Sequence, residues 1–213
     1  MTTTSNHPDT VQRADYVSGP KQGEWTYAHY AALPEDGQRY EVLDGVLYMS
    51  PAPNLWHQDV ALEIASFLRI HVKLTGLGNV FISPVDVELA PRSVVQPDVV
   101  VVLRANAAIL HYDSRIIGSP DLVIEIASPS TARHDRQRKR SLYARTGISE
   151  YWLIDPVRQT LEILVLEGAA YRSTGLLAGP TPSNQPSYQH WLMCALSNSS
   201  CKGMMNHAQY TST

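Results

Sequence analysis

Two apolar runs dominate the chain. Val99-Val100-Val101-Val102-Leu103 is unbroken, and Leu122-Val123-Ile124-Glu125-Ile126-Ala127 is interrupted only by one carboxylate. Runs of this length and β-branched content predict strands buried on both faces. The surrounding pattern predicts strands over about Val80–Leu89, Val94–Leu103 and Asp121–Ala127, the first alternating and the other two continuous. Before them, Thr26 can cap a short helix that ends near Leu33, and Tyr40–Tyr48 reads as a hairpin around Asp44-Gly45. A long helix is predicted over about His57–Lys73. Asn54 is its N-cap, Val60, Ile64, Phe67, Leu68 and Val72 recur at helical spacing, and Gly76 and Gly78 follow. After the strands, Ser128-Pro129-Ser130-Thr131 opens a second helix over about Ala132–Arg145, which Gly147 ends. Tyr151–Ile154 is the next strand, and Thr160–Leu166 with Ala170–Ser173 reads as a hairpin around Glu167-Gly168. The order is helix, three strands, helix, strand, hairpin. It predicts an α/β sandwich, a central mixed β-sheet flanked by helices.

The periodicity is confined to the middle of the chain. Residues 1–24, rich in Thr, Ser, Pro and Gln with no apolar core segment, read as a flexible leader. Residues 25–174 form the expected domain. From Gly175 onward Pro180, Pro182 and Pro186 mix with Ser and Asn, and residues 175–213 read as a divergent, disordered tail. There are no internal repeats.

Charge narrows the function classes. A net charge of −3 over 213 residues gives no global basic field, so any nucleic-acid site must be local. Cys194 and Cys201 are the only cysteines, and both lie in the expected tail. That excludes a disulfide scaffold and a Cys-ligated zinc, and it suits a reducing cytoplasm. No apolar stretch approaches the ~18 residues of a membrane helix.

The candidate chemistry lies where acids interrupt the apolar runs. A carboxylate at Glu125 would cost several kcal/mol of desolvation unless paired. Asp98, in Gln96-Pro97-Asp98-Val99, repeats the pattern at a strand start. Two such acids suit a divalent metal. On the following helix Asp135, Lys139, Leu142 and Tyr143 share one face, and the last two mark it as buried, so Lys139 is expected to point towards Glu125. Its other reading is a lysine whose stem covers apolar surface. Arg133, Arg136, Arg138 and Arg140 make the same helix basic, as a phosphate track or as a solvated face. His57 is expected near the pocket, and Asp135 against its arginine neighbours. Asp86 and Glu88 are expected to face solvent on an outer strand, and Tyr151 and Trp152 to be core.

Taken together, Tyr40-Glu41-Val42-Leu43-Asp44-Gly45, Pro51-Ala52-Pro53 with His57-Gln58, Gln96-Pro97-Asp98, Pro120–Thr131, Asp135 with Lys139 and Tyr143, and Gly147–Pro156 resemble the Uma-type restriction endonuclease family, in the PD-(D/E)XK nuclease superfamily. The resemblance spans roughly Trp25–Arg172. It implies the restriction-endonuclease-like core and a Mg²⁺-dependent endonuclease acting on DNA, with Mn²⁺ able to substitute. It leaves a homodimer open. Asp98 resembles the first acid of the motif, Glu125 the second and Glu41 an early acid. Ala127 stands where the superfamily usually has its lysine, and Lys139 resembles a migrated substitute. Catalysis would thus fall to Glu41, Asp98, Glu125 and Lys139. The metal would be held by Asp98, Glu125 and the carbonyl of Ile126, and nucleic acid by Arg133, Arg136, Arg138 and Arg140. The tail does not resemble the usual end of the family. The competing expectation is an inactive nuclease-fold protein that binds nucleic acid or a protein partner without cutting.

Overall fold

The computed structural model describes residues 11–127 and 135–178, with the backbone alone for Asp135 and Arg136. Two mixed sheets, not one, carry the fold. The first contains β1 (Gln12–Arg13), β2 (Arg39–Leu43), β3 (Val46–Ser50), β5 (Val87–Ala90), β6 (Ser93–Val95), β8 (Leu110–His111) and β9 (Arg115–Ile117), in the spatial order β1-β3-β2-β6-β5-β9-β8. The second runs β13 (Ala170–Ala178), β12 (Thr160–Glu167), β11 (Glu150–Asp155), β10 (Leu122–Ile126), β7 (Val99–Leu103) and β4 (Gly78–Ile82). Strands β10 and β11 are parallel, as are β5 and β9, and the other pairs are antiparallel. Parallel neighbours need a crossover, and that between β10 and β11 contains helix α3 (Arg140–Thr146). Helix α1 (Tyr27–Ala31) follows Thr26, and α2 (Leu55–Leu68) follows Asn54, whose side chain accepts the His57 N–H at 2.9 Å. Residues Arg69–Lys73 prolong α2 in a wider i→i+5 turn.

Alternation along the strands sorts the core into three layers. Val99, Val101, Leu122, Ile124 and Ile126 pack under Val60, Ile64 and Leu68 of α2. The opposite residues of the same sheet, Val100, Val102 and Val123, meet Leu43, Tyr48, Val87 and Val95 of the first sheet, together with Leu142 and Tyr143 of α3. The far face of the first sheet buries Val42, Leu47 and Val94 beneath Trp25 and Ala14. One sheet is therefore covered by a helix on one side and by its partner sheet and α3 on the other. No helix of the described residues is long and apolar enough to cross a membrane.

Four expectations change. The strand expected over Val80–Leu89 is two strands in different sheets, β4 and β5, and Val94–Leu103 likewise divides into β6 and β7. Each break contains a proline, Pro84 or Pro97, which has no N–H to donate to a ladder. The last strand, β13, runs on to Ala178, which pairs with Thr160. The second half of the expected leader is docked: Gln12 and Arg13 pair with Met49 and Tyr48, and Ala14 is fully buried. At the β2–β3 turn Asp44 (φ 55°) and Gly45 (φ 80°) adopt the left-handed conformations of a tight hairpin turn. Gly45 also lies against the Gly23 backbone, whose N–H reaches the Gly45 carbonyl at 2.7 Å, so a side chain there would collide with it.

Candidate active site

Asp98 lies in the segment that crosses from β6 to β7, whereas Glu41 and Glu125 lie within β2 and β10. Register pairs Val99 with Ile124 across β7 and β10. One residue further out, Asp98 falls opposite Glu125, and directly opposed residues of an antiparallel pair point to one face. That face is the layer between the sheets. Glu41 enters the same layer from β2, two residues before Leu43. Lys139 closes the wide turn Asp135–Lys139 that leads into α3. All four side chains are nearly inaccessible: Glu41 4%, Asp98 5%, Glu125 3% and Lys139 4% exposed.

Buried charge persists only where it is paired and hydrogen-bonded. Lys139 Nζ lies 2.9 Å from Glu125 Oε1 and 2.9 Å from Glu41 Oε1. The Tyr143 hydroxyl donates to the same Glu125 oxygen at 2.6 Å. Burial and the neighbouring Glu125 and Glu41 carboxylates push that phenol well above its ordinary pKa, so it stays a donor. Glu41 Oε1 also accepts the Gln96 N–H at 2.7 Å. Arg39, two residues earlier on β2, donates to the Gln96 carbonyl at 3.4 Å, so one strand holds both sides of the crossing segment. Asp98 Oδ2 accepts the Ile126 N–H at 2.8 Å and lies 3.0 Å from His57 Nε2. Burial alone would raise the Asp98 pKa. His57, the Ile126 N–H and Lys139 outweigh it and hold the carboxyl below its ordinary range.

Glu41, Glu125 and Lys139 are thus brought together, and Asp98 joins them electrostatically through Lys139. Ile126 meets Asp98 through its N–H, whereas the expectation concerned its carbonyl. The arginines are not gathered into one described track. The Arg138 guanidinium lies 4.9 Å from the Tyr48 ring centroid, and Arg140 donates to the Tyr171 carbonyl at 3.1 Å. Arg133, and the side chains of Asp135 and Arg136, fall outside the described residues. Asp86 and Glu88, expected to face solvent, are engaged. Asp86 Oδ1 accepts from the Tyr30 hydroxyl at 2.7 Å and from Gln96 Nε2 at 2.9 Å, and Glu88 pairs with Arg115 at 2.7 Å. Gln96 is the residue most clearly missed: its N–H holds Glu41 while its side chain ties Asp86 to Tyr30. Its place beside Pro97-Asp98 was the available signal.

Among the described residues, no three His, Cys, Asp or Glu side chains converge as a ready-made metal cage. The donor chemistry nevertheless fits a hard divalent cation. The acids offer only oxygen, and the contacts of Asp98 fall on Oδ2 and those of Glu41 on Oε1, so each has a second oxygen outside them. Mg²⁺ is commonly held by one or two carboxylates and keeps several waters.

The fold is a two-sheet α/β architecture that encloses this buried cluster of acids and lysine. A solved structure from Anabaena variabilis, titled a putative nuclease belonging to DUF820, is similar in fold, with a TM-score of 0.62 and 21% identity, over 85% of this chain and 98% of that one. The profile of the Uma2 family, described as "Putative restriction endonuclease", matches residues 27–196, and the chain belongs to that family. No curated protein matches it.

Proposed function

We propose that this protein is a Mg²⁺-dependent endonuclease that hydrolyses phosphodiester bonds of DNA. The observation that carries the reading is the meeting of Glu125, Lys139 and Glu41 in one buried layer, with Asp98 opposite Glu125. Family membership supports it.

Asp98 and Glu125, with the Ile126 carbonyl, would hold the ion, and Mn²⁺ would substitute for Mg²⁺. A bound divalent ion supplies an activated water and offsets charge on the scissile phosphate. The remaining work falls to the chain. His57 and the Ile126 N–H fix Asp98 in its ionised form, ready to accept a cation. Tyr143 and Lys139 fix the Glu125 carboxylate. The Lys139 ammonium, held beside both glutamates, stabilises negative charge as it develops on the phosphate. Glu41 orients that ammonium from the other sheet. Arg133, Arg136, Arg138 and Arg140 would follow the phosphate backbone without reading sequence.

The test is incubation of the purified full-length protein with linear, circular and single-stranded DNA, and with RNA, in Mg²⁺, Mn²⁺ or EDTA. The expected result is DNA cleavage that needs the metal and is lost in Asp98→Ala and Lys139→Ala. Binding of DNA without cleavage under every condition would favour the other reading, an inactive nucleic-acid-binding relative, for which Ala127 at the usual lysine position speaks.

A further inference from the structure

Helix α2 starts at the acid end of its sheet. His57 reaches Asp98, one residue before β7 begins, and β4 brings the chain back to the same end, closing at Ile82 opposite Val99. Trp56, His57, Val60, Ala61 and Ile64 share the helix face turned to the sheet. Val60, Ala61 and Ile64 are buried there, and His57 is held at Asp98. Trp56 differs. It precedes His57, so it overhangs the strand ends and is 68% exposed. Among the described residues its indole has no ring or hydrogen-bond partner.

Ile82 lies on the same side of the sheet. It pairs with Val99, whose side chain packs under α2, and directly opposed residues of an antiparallel pair point to one face. As the last residue of β4 it too is left open, 44% exposed. An aromatic ring and an aliphatic side chain thus stand uncovered at the strand end that carries Asp98. Tryptophan is highly buried on average, and exposed apolar surface that adjoins a candidate active site marks a place where something binds.

The chemistry that fits this ring is a nucleobase. Base–aromatic stacking tolerates any sequence, because every base has a π-face. A base inside a duplex has both faces covered by its stacked neighbours, so an indole fixed on a helix meets only a base that is unpaired. We propose that Trp56 stacks on an unpaired base beside the bond brought to Asp98 and Glu125, with Ile82 against the edge of that base. The substrate is then DNA carrying unpaired nucleotides, as in a single strand, a flap or a gap. This inference rests on the nuclease reading and narrows its substrate.

The test reads binding, not cleavage: fluorescence anisotropy of a labelled single strand and of its duplex with the full-length protein, in EDTA and again in Ca²⁺. Wild type should bind the single strand more tightly. Trp56→Ala should raise the single-strand Kd about tenfold or more, the loss of one stacked base, and leave the duplex Kd unchanged. Trp56→Phe, which keeps a ring, should recover most of the affinity. Intrinsic fluorescence gives a second readout. The single strand should quench wild type saturably, and most of that amplitude should be missing in Trp56→Phe although the variant still binds. Trp25 and Trp152 are buried, and Trp191 is common to both proteins, so the difference reports Trp56. Equal quenching in the two proteins would overturn the inference and leave the nuclease reading standing. So would single-strand binding indifferent to Trp56→Ala, or an equal loss for the duplex. A wild-type chain that binds neither DNA under either condition would overturn both.

Discussion

Glu41 and Glu125 belong to different sheets, yet each has a carboxylate oxygen 2.9 Å from the same Lys139 ammonium. The two sheets are therefore joined by charge as well as by apolar packing. Removing the ammonium would leave two buried acids without that partner, a loss on the scale of ~3–5 kcal/mol for a broken buried pair. Lys139→Met should lower the denaturant midpoint accordingly, and adding Glu41→Gln should recover part of the loss. Unchanged stability in Lys139→Met would show that the acids are neutral or otherwise satisfied.

Metal binding separates the roles of Asp98 and Lys139. Asp98 faces the same layer as Glu125 and carries a carboxylate oxygen outside its two hydrogen bonds. Calorimetric titration with Mn²⁺ should give binding that disappears in Asp98→Ala and persists in Lys139→Ala. Loss of binding in both variants would make the lysine a structural requirement of the site.

Much of this arrangement was legible in the chain, for identifiable reasons. Strands β7 and β10 announced themselves because both faces are buried and every position is apolar except the acids. The inward direction of Lys139 followed from its spacing to Leu142 and Tyr143. The pairing of Asp98 with His57 did not follow, because it joins residues 41 positions apart through tertiary packing. Likewise Asp86 was expected to face solvent, because its partner Tyr30 is 56 positions away. The division of Val94–Leu103 between two sheets was hidden because hydrophobic period reports burial, not which sheet a strand joins. Strand β1 was hidden for another reason: both its side chains are exposed, and only backbone hydrogen bonds fix it.

The depressed Asp98 pKa gives stability a definite pH dependence. In the folded state this acid holds its proton less tightly than in the unfolded chain, because His57, the Ile126 N–H and Lys139 outweigh burial. Its contribution is present in full above the ordinary carboxylate range and is lost as pH falls through the lowered folded value. Asp98→Asn should therefore show a shallower loss of stability on the acid limb than wild type. Parallel acid limbs for the two proteins would sink the assignment.

Nucleic-acid affinity tests the proposed arginine track. Phosphate contacts make log affinity fall linearly with log salt, with a slope of roughly 0.9 per neutralised phosphate. Replacing Arg136 and Arg138 with Gln should flatten that slope by about 2 if each holds one phosphate. An unchanged slope would place the contacts elsewhere.

The last prediction concerns where the folded domain begins. A break at Trp25 would be harmless if the preceding residues were only a leader. Instead the Ala14 N–H donates to the Leu47 carbonyl at 3.0 Å, Gln22 accepts the Leu47 N–H at 2.8 Å, and Val17 packs against the layer containing Trp25, Leu47 and Met49. Deleting residues 1–24 strips cover from Trp25, which is 1% exposed. The cost should be on the order of 2 kcal/mol, the scale of exposing one large apolar side chain. Deleting residues 1–10 removes none of these contacts and should leave the denaturant midpoint unchanged. Limited proteolysis should accordingly yield a resistant fragment beginning before Gln12. A resistant fragment that starts at Trp25 and keeps the full-length midpoint would mean that the β1 segment adds nothing to the stability of the domain.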